Sequence, residues 1–282
     1  MTDRHLEMDQ SERQGSPDRF GHSWNIFNEI LPVHEEQFLR WTESLEKSDW
    51  RGRSFLDVGC GIGRNSYWPM SYGAESCLSV DIDERTLAVA KRNLSPYGGA
   101  KVTNRSAYSI DEVDKFDIAF SIGVVHHLED PGLAVSEMKR ALKTGGTLLL
   151  WLYGYENNEW LIRYFNPVRK FLFSRMPLSI VYALSAPATA LLWLFLRLGL
   201  GRTEYMKLIR TFSFQHLRAI VYDHMIPIIA NYYTREEAIK LLTDAGMENI
   251  QAYWVNEMSW TVVGIKPDVD RAREEVGETC VE

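Results

Sequence analysis

The chain has 282 residues, 45% hydrophobic and 24% charged, and its 31 Lys and Arg against 38 Asp and Glu give a formal charge of −7. That composition belongs to a soluble globular protein and excludes disordered, collagen-like and disulfide-scaffold chains. Three scattered cysteines (Cys60, Cys77, Cys280) and the lack of a long basic block disfavour a Cys-based zinc site and a general nucleic-acid binder, and predict a reducing, cytoplasmic compartment.

Residues 1–20 carry charges throughout, lack the apolar stretch of a secretion signal and read as a flexible tail. Between Trp24 and Leu45 apolar residues recur at helical spacing, interrupted at Pro32, which predicts a helical flank to a core over 21–153. From Ser54 the pattern becomes short apolar runs ending in Gly or Asp: SFLDVGCG, SCLSVDID, FDIAFSIG and GGTLLLWLYG. Helical stretches separate them, one opening at Asp83-Glu84 and another running from Asp130-Pro131 to a stop at Gly145-Gly146. Strands alternating with helices predict a parallel sheet covered on both faces.

Residues 154–232 break this alternation and read as an apolar helical insertion. Within it, 176–196 has no charged side chain over 21 positions, long enough to cross a bilayer. A single crossing would separate the strand at 147–152 from those at 249–265, which are expected in one sheet, and Pro177 and Pro187 are expected to break the stretch into shorter helices. Eight bases against three acids between Trp151 and Gln215 give this region +5 in an acidic protein. Three readings follow: a lid over an acceptor pocket, a peripheral cap touching a membrane surface through 171–200, or an oligomer contact. The sequence leaves the oligomeric state open.

Residues 233–266 are expected to return to the sheet. Thr234 and Glu237 form a capping box, and NIQAYWV (249–255) with SWTVVGI (259–265) reads as an antiparallel edge hairpin. The acidic tail from 267 to 282 is assigned no structure.

The chemistry-bearing signal is Gly59-x-Gly61-x-Gly63, directly after an apolar run and before a helix, where backbone must turn tightly or approach a ligand. Asp81 follows about 20 residues on, placed to accept both hydroxyls of a ribose. Together they predict an adenosine-containing ligand. Arg64 stands one residue after the third glycine, a spacing that disfavours a nicotinamide-dinucleotide oxidoreductase.

FLDVGCGIG (55–63), VDID (80–83), FDIAFSIGVVHHLEDP (116–131) and LKTGGTLLLWLYG (142–154) occur in the order found in class I S-adenosylmethionine-dependent methyltransferases. The chain resembles that family, in particular its small-molecule, ubiquinone/menaquinone-methyltransferase-like members. The resemblance implies an α/β fold: a doubly wound, mostly parallel, Rossmann-like seven-stranded sheet with an antiparallel C-terminal hairpin and a helical cap inserted after strand 5. It implies S-adenosyl-L-methionine as cofactor, with Asp57, Gly59, Cys60, Gly61 and Gly63 along the glycine loop. Asp81 would hold the ribose, Ile82 would pack on the adenine, and the segment from Ser121 to His127 would border the methyl group. Ser106-Ala107 stands where many members carry Asp-Ala near the adenine amine.

Methyl transfer from a sulfonium is a displacement in which proximity can supply most of the acceleration. A general base would assist a hydroxyl, phenol or amine acceptor, and His127 is the first candidate; the alternative is that His126 and His127 only shape their loop. A second cluster in the insertion, His216, Tyr222, Asp223, His224, Asn231, Tyr232 and Tyr233, reads either as an acceptor pocket or as a satisfied polar core, with His224 a lesser catalytic candidate. No His/Asp/Glu grouping has a metal-ligand spacing, so no metal is expected. The expected function is methyl transfer to O, N or C of an apolar or amphipathic small molecule, without a nucleic-acid partner. The alternatives are a non-catalytic S-adenosylmethionine-binding or membrane-associated scaffold and a nucleic-acid methyltransferase; against the latter, no Asn-Pro-Pro-Tyr-like motif is present.

Overall fold

The structure, a computed structural model, describes residues 16–268. Two helices, α1 (Ser16–Ile26) and α2 (Pro32–Trp41), precede the sheet. The expected tail is thus shorter than twenty residues: 16–20 already belong to α1, and 1–15 lie outside the described residues, as does the acidic tail from 269. Arg19 is buried and donates to the carbonyls of Ile226 (2.7 Å) and Phe173 (2.8 Å), while Arg85 pairs with Asp18 at 3.0 Å. The charge-assisted hydrogen bonds of buried Arg19 tie α1 down where composition alone predicts a loose end.

The sheet is built from β1 (Ser54–Val58), β2 (Ser76–Asp81), β3 (Ala100–Asn104), β4 (Phe116–Ile122), β5 (Leu142–Tyr153), β6 (Glu248–Val255) and β7 (Ser259–Ile265), in the order β3-β2-β1-β4-β5-β7-β6. Strands β1 to β5 pair in parallel, and β7 pairs antiparallel with both β5 and β6. The reversal of order at β1/β4 opens a crevice at the strands' carboxyl ends, the usual ligand position in doubly wound sheets.

Helices α3 (Arg64–Ser71), α4 (Glu84–Leu94), α5 (Pro131–Ala141) and α10 (Arg235–Asp244) cover the sheet. Asp83 caps α4 by accepting from the Arg85 and Thr86 amides, and Thr234 with Glu237 forms the expected capping box of α10. One apolar layer, including Leu56, Met138, Leu150, Leu242 and Val262, fills the α5/α10 face; an aromatic layer of Phe38, Trp50, Phe55, Trp68 and Phe120 fills the other. α5 ends at Ala141 rather than at Gly145-Gly146, because Leu142 turns extended and pairs directly with Phe116.

The insertion after β5 holds a π-helical turn (Leu161–Phe165), α6 (Asn166–Phe171), α7 (Leu178–Arg197), α8 (Glu204–Ile209) and α9 (Phe214–Met225). α7 is one continuous helix of 20 residues; Pro187 does not divide it. Proline costs a helix one N–H and crowds the preceding turn, and Pro187 sits on the exposed side, where no partner helix must fit the distortion.

Candidate active site

The strand-to-helix turn after β1 sets the floor of the site. Gly59, Gly61 and Gly63 all take positive φ (+78°, +51°, +76°), the left-handed region closed to most side chains. The Gly59 and Cys60 amides donate to the Val80 carbonyl at 2.9 and 3.0 Å, drawing the loop against the end of β2. A Cβ on Gly59 would lie 2.3 Å from a Val124 methyl, so the loop after β4 closes on this glycine's bare face. At the end of β2 the Asp81 carboxylate accepts from the Gly61 amide (2.8 Å) and the Asp83 amide (3.1 Å). Burial raises its pKa and these backbone bonds oppose the rise.

A cavity of about 780 Å³ runs from this floor into the insertion, within the roughly 300–1,000 Å³ usual for ligand sites. Gly59, Cys60, Gly61, Asp81, Ile82, Ser106 and Ala107 line one end. Three residues expected on the cofactor lie elsewhere. Asp57 is buried beneath the loop and accepts from Ser66 Oγ at 2.6 Å, Ser121 Oγ donates to the Val58 carbonyl at 2.8 Å, and Gly63 lets α3 approach Ala90 and Leu94 of α4. None of the three lines the cavity; they hold β1, β4 and α4 in place around it.

His127, Tyr153, His216, Asp223, His224 and Tyr232 line the other end, whereas Tyr222, Asn231 and Tyr233 of the predicted cluster do not. Tyr222 instead bonds His22 at 2.9 Å, and Asn231 donates its amide to the His126 carbonyl. His127 Nδ1 donates to the Ile229 carbonyl at 2.6 Å, and His224 Nδ1 to the Ile220 carbonyl at 2.9 Å. Because a carbonyl only accepts, both rings carry their proton on Nδ1 and leave Nε2 as an acceptor. Burial pushes the His127 pKa down to about 3 and also lowers that of His224, so both are neutral and poor proton acceptors near pH 7. That weakens the expectation of His127 as general base. Asp223 moves the other way: burial lifts its pKa to about 6, against the opposing pull of the Ser23 hydroxyl (2.5 Å) and Arg64.

Among the lining residues given no part in the site by the sequence are Arg64, Trp24, Trp41 and Tyr153. Arg64, read only as a departure from a dinucleotide motif, lies 4.9 Å from the Trp24 ring and 5.9 Å from that of Trp41, joining α1 and α2 to the glycine loop. Burial lowers its pKa to about 10, which leaves it cationic. Tyr153 ends β5 with its ring stacked on His126 at 3.8 Å and on His224 at 5.8 Å. Its place at a carboxyl strand end was the available signal; the tryptophans gave none beyond helical apolarity.

The donor set fits an adenosylated sulfonium amino acid. A ribose-competent carboxylate, the backbone of Gly59 and Gly61 and a fixed cation lie along one cavity. Among the described residues no group of three His, Cys, Asp or Glu is arranged to hold a metal ion.

Residues 56–150 match the family described as Methyltransferase domain. The chain is 30% identical over 138 residues to a tRNA U34 carboxymethyltransferase of Hahella chejuensis, covering 46% of this chain and 43% of that one. It is 31% identical over 134 residues to a ubiquinone biosynthesis O-methyltransferase of Leptothrix cholodnii, covering 45% and 56%. The chain thus spans about half the length of the curated relatives it matches. Among solved structures, its fold is similar to a SAM-dependent methyltransferase of Thermotoga maritima, a possible histamine N-methyltransferase (TM-score 0.53, 16% identity, 89% and 99% covered). It is also similar to magnesium protoporphyrin IX methyltransferase of Synechocystis with bound SAH (TM-score 0.50, 13% identity, 88% and 84% covered). The expected absence of a nucleic-acid partner finds no support here, since a tRNA-modifying enzyme and a small-molecule enzyme match over similar spans.

Proposed function

We propose that this chain, which carries a class I S-adenosylmethionine-dependent methyltransferase domain, transfers the cofactor's methyl group to an apolar or amphipathic small molecule bound at the insertion end of the cavity. The observation that carries the acceptor class is the lining of that end. Phe20, Phe27, Leu208, Ile220 and Ile229 surround it together with the rings of Tyr153 and Tyr232.

The cofactor, when bound, supplies an electrophilic methyl on sulfur. Asp81 is the residue to hold the ribose hydroxyls, and Arg64 the cation to hold the amino-acid carboxylate. The neutral His127 and His224 each offer an Nε2 lone pair to orient an acceptor hydroxyl or N–H. Asp223, with a pKa near the working range, is the group suited to take that proton. The apolar walls exclude water, which sharpens alignment of the acceptor with the methyl group.

The test is calorimetric titration with S-adenosylmethionine and S-adenosylhomocysteine, followed by incubation with methyl-labelled cofactor and either organic-solvent extracts or bulk tRNA. Binding of both ligands with label entering the organic extract supports the proposal. Label entering tRNA overturns the acceptor class, and absence of binding to either ligand overturns the activity.

A further inference from the structure

The apolar stretch at 176–196 does not close the pocket: no residue between Glu159 and Glu204 lines the cavity. The lid is α9 with the 228–232 loop, which leaves α7 without a role in the site. α7 is the one helix among the described residues long and apolar enough to cross a bilayer, yet only Val181, Ser185, Thr189 and Leu196 of its 20 residues are buried.

Its apolar residues are not confined to the inward side, where Val181 and Leu196 share the buried face with Ser185 and Thr189. The inward side carries the polar groups: Ser185 Oγ accepts from Arg218 Nε at 3.1 Å, and Thr189 Oγ1 donates to the Ser185 carbonyl at 2.7 Å. The outward side carries Ile180, Leu184, Leu191, Trp193, Leu194, Phe195 and Leu198, between 37% and 72% exposed. Amphipathic helices of water-soluble domains put their apolar stripe on the core. An outward face of this composition exceeds the scattered exposed apolar residues of an ordinary surface. α6, which precedes it in the chain, also exposes Val168 and Phe171, at 43% and 70%.

Charge at the edge of this face selects its occupant. Arg163, Lys170, Arg175, Arg197 and Arg202 are exposed around it. Three of these arginines lie beside exposed aromatic rings: Arg163 at Tyr164 (5.8 Å), Arg175 at Phe171 (5.8 Å) and Arg197 at Trp193 (5.0 Å). Aromatic rings and basic side chains rimming an apolar face suit the headgroup layer of an anionic membrane. A second copy presenting the same basic rim would meet it with like charge. Crossing is excluded by topology, since α7 lies between β5 and β7, which are hydrogen-bonded neighbours from Thr147/Ile265 to Tyr153/Ser259.

We infer that α7 and α6 lie flat on an anionic lipid surface as a monotopic anchor. The patch is coupled to the cavity: buried Arg169 of α6 donates to the Pro227 carbonyl at 2.6 Å, next to Ile228, which is 37% exposed and lines the cavity. The docked face therefore adjoins the rim of the site. The inference stands independently of the acceptor proposed above.

The experiment is co-sedimentation of the full chain with phosphatidylcholine vesicles, with and without phosphatidylglycerol, alongside sedimentation velocity without lipid. The protein is expected to pellet with the anionic vesicles and to be released by salt. Leu191→Asp/Leu194→Asp should lower this partitioning at least tenfold, and Arg175→Gln/Arg197→Gln roughly 25-fold, about fivefold for each base lost. Unchanged S-adenosylhomocysteine affinity and melting temperature would show that both variants fold. No vesicle binding by the parent chain, or binding indifferent to both double variants, overturns the inference. A dimer in the absence of lipid that Leu191→Asp dissolves and vesicles do not displace also overturns it, assigning the face to a second copy.

Discussion

The Gly61 amide donates to the Asp81 carboxylate at 2.8 Å across 20 residues of sequence, so the glycine loop and the acidic strand end are one hydrogen-bonded unit before any ligand arrives. With the Asp83 amide on its other oxygen at 3.1 Å, the carboxylate is held in a single orientation. A carboxylate fixed in this way loses little entropy on binding a ribose diol. Each charge-assisted hydrogen bond is worth about 1.5–3 kcal/mol. Asp81→Ala should therefore weaken S-adenosylhomocysteine binding by about a hundredfold or more, and Asp81→Asn by about tenfold, read by calorimetry. Unaltered affinity in Asp81→Ala would remove the ribose assignment.

Gly59 tests the loop from the steric side. Its φ of +78° is strained for any residue with a Cβ, and that Cβ would sit 2.3 Å from Val124 Cγ2. Left-handed strain alone costs on the order of 1–3 kcal/mol. The Val124 clash adds to this, so Gly59→Ala should lower stability by more than the strain alone and cofactor affinity by at least tenfold. A compensating Val124→Ala should restore part of both, since it removes the clash but not the strain. Gly98, which has no atom within 4 Å of its would-be Cβ and no positive φ, is the control, and Gly98→Ala should change neither.

The core was legible because its signals are local. A parallel sheet covered on both faces writes each central strand as a continuous apolar run, and the loops at its carboxyl edge need glycine and acid at fixed offsets. β3 was not singled out by its own pattern, for its five residues are partly exposed at the sheet edge. The seventh strand came instead from the family resemblance. Arg64, Trp24 and the closing role of α1 depend on contacts between segments some 40 residues apart, which no local pattern encodes. His127 illustrates a further limit. Its position at the strand mouth was readable, but its burial and its Ile229 partner, 102 residues on, decide its protonation. Polarity facing inward on α7 was hidden because 176–196 is apolar on nearly every side, so the sequence shows no face to choose.

Asp57 shows a cost carried by the scaffold. It is 1% exposed, and burial, with an added push from the Asp81 charge, lifts its pKa from 3.8 to about 7 despite the Ser66 hydroxyl. Between about pH 4 and pH 7 the unfolded chain has released this proton while the folded chain keeps it. Stability from this group is therefore greatest at low pH and falls as pH rises through that window. Asp57→Asn should flatten the slope and raise stability at pH 8 by on the order of 1–3 kcal/mol, provided the amide keeps the Ser66 contact. Chemical denaturation of both chains at pH 5 and pH 8 reads this directly, and an equal difference at the two pH values would sink the idea.

The proton-accepting role can be assigned by a pH profile because the candidate groups titrate far apart. Asp223, raised to about 6, is ionised above that pH and protonated below it, so methyl transfer to a hydroxyl or amine should fall as pH drops through 6. His127, held at about 3 by burial, keeps one protonation state throughout that range and contributes no limb of its own. Asp223→Asn should lower kcat by about 10²–10⁴, the usual worth of a general base, and erase the acidic limb. His127→Gln should reduce turnover through lost orientation and leave the limb at pH 6. The Ser23 hydroxyl, 2.5 Å from Asp223 Oδ1, favours the carboxylate form; Ser23→Ala should move the limb to higher pH without erasing it. An acidic limb that survives in Asp223→Asn and vanishes in His127→Gln would transfer the base to the histidine. It would also mean that the His127 ring is far better hydrated in the working enzyme than its contacts with Phe20 and Tyr153, at 4.7 and 5.5 Å between ring centres, allow.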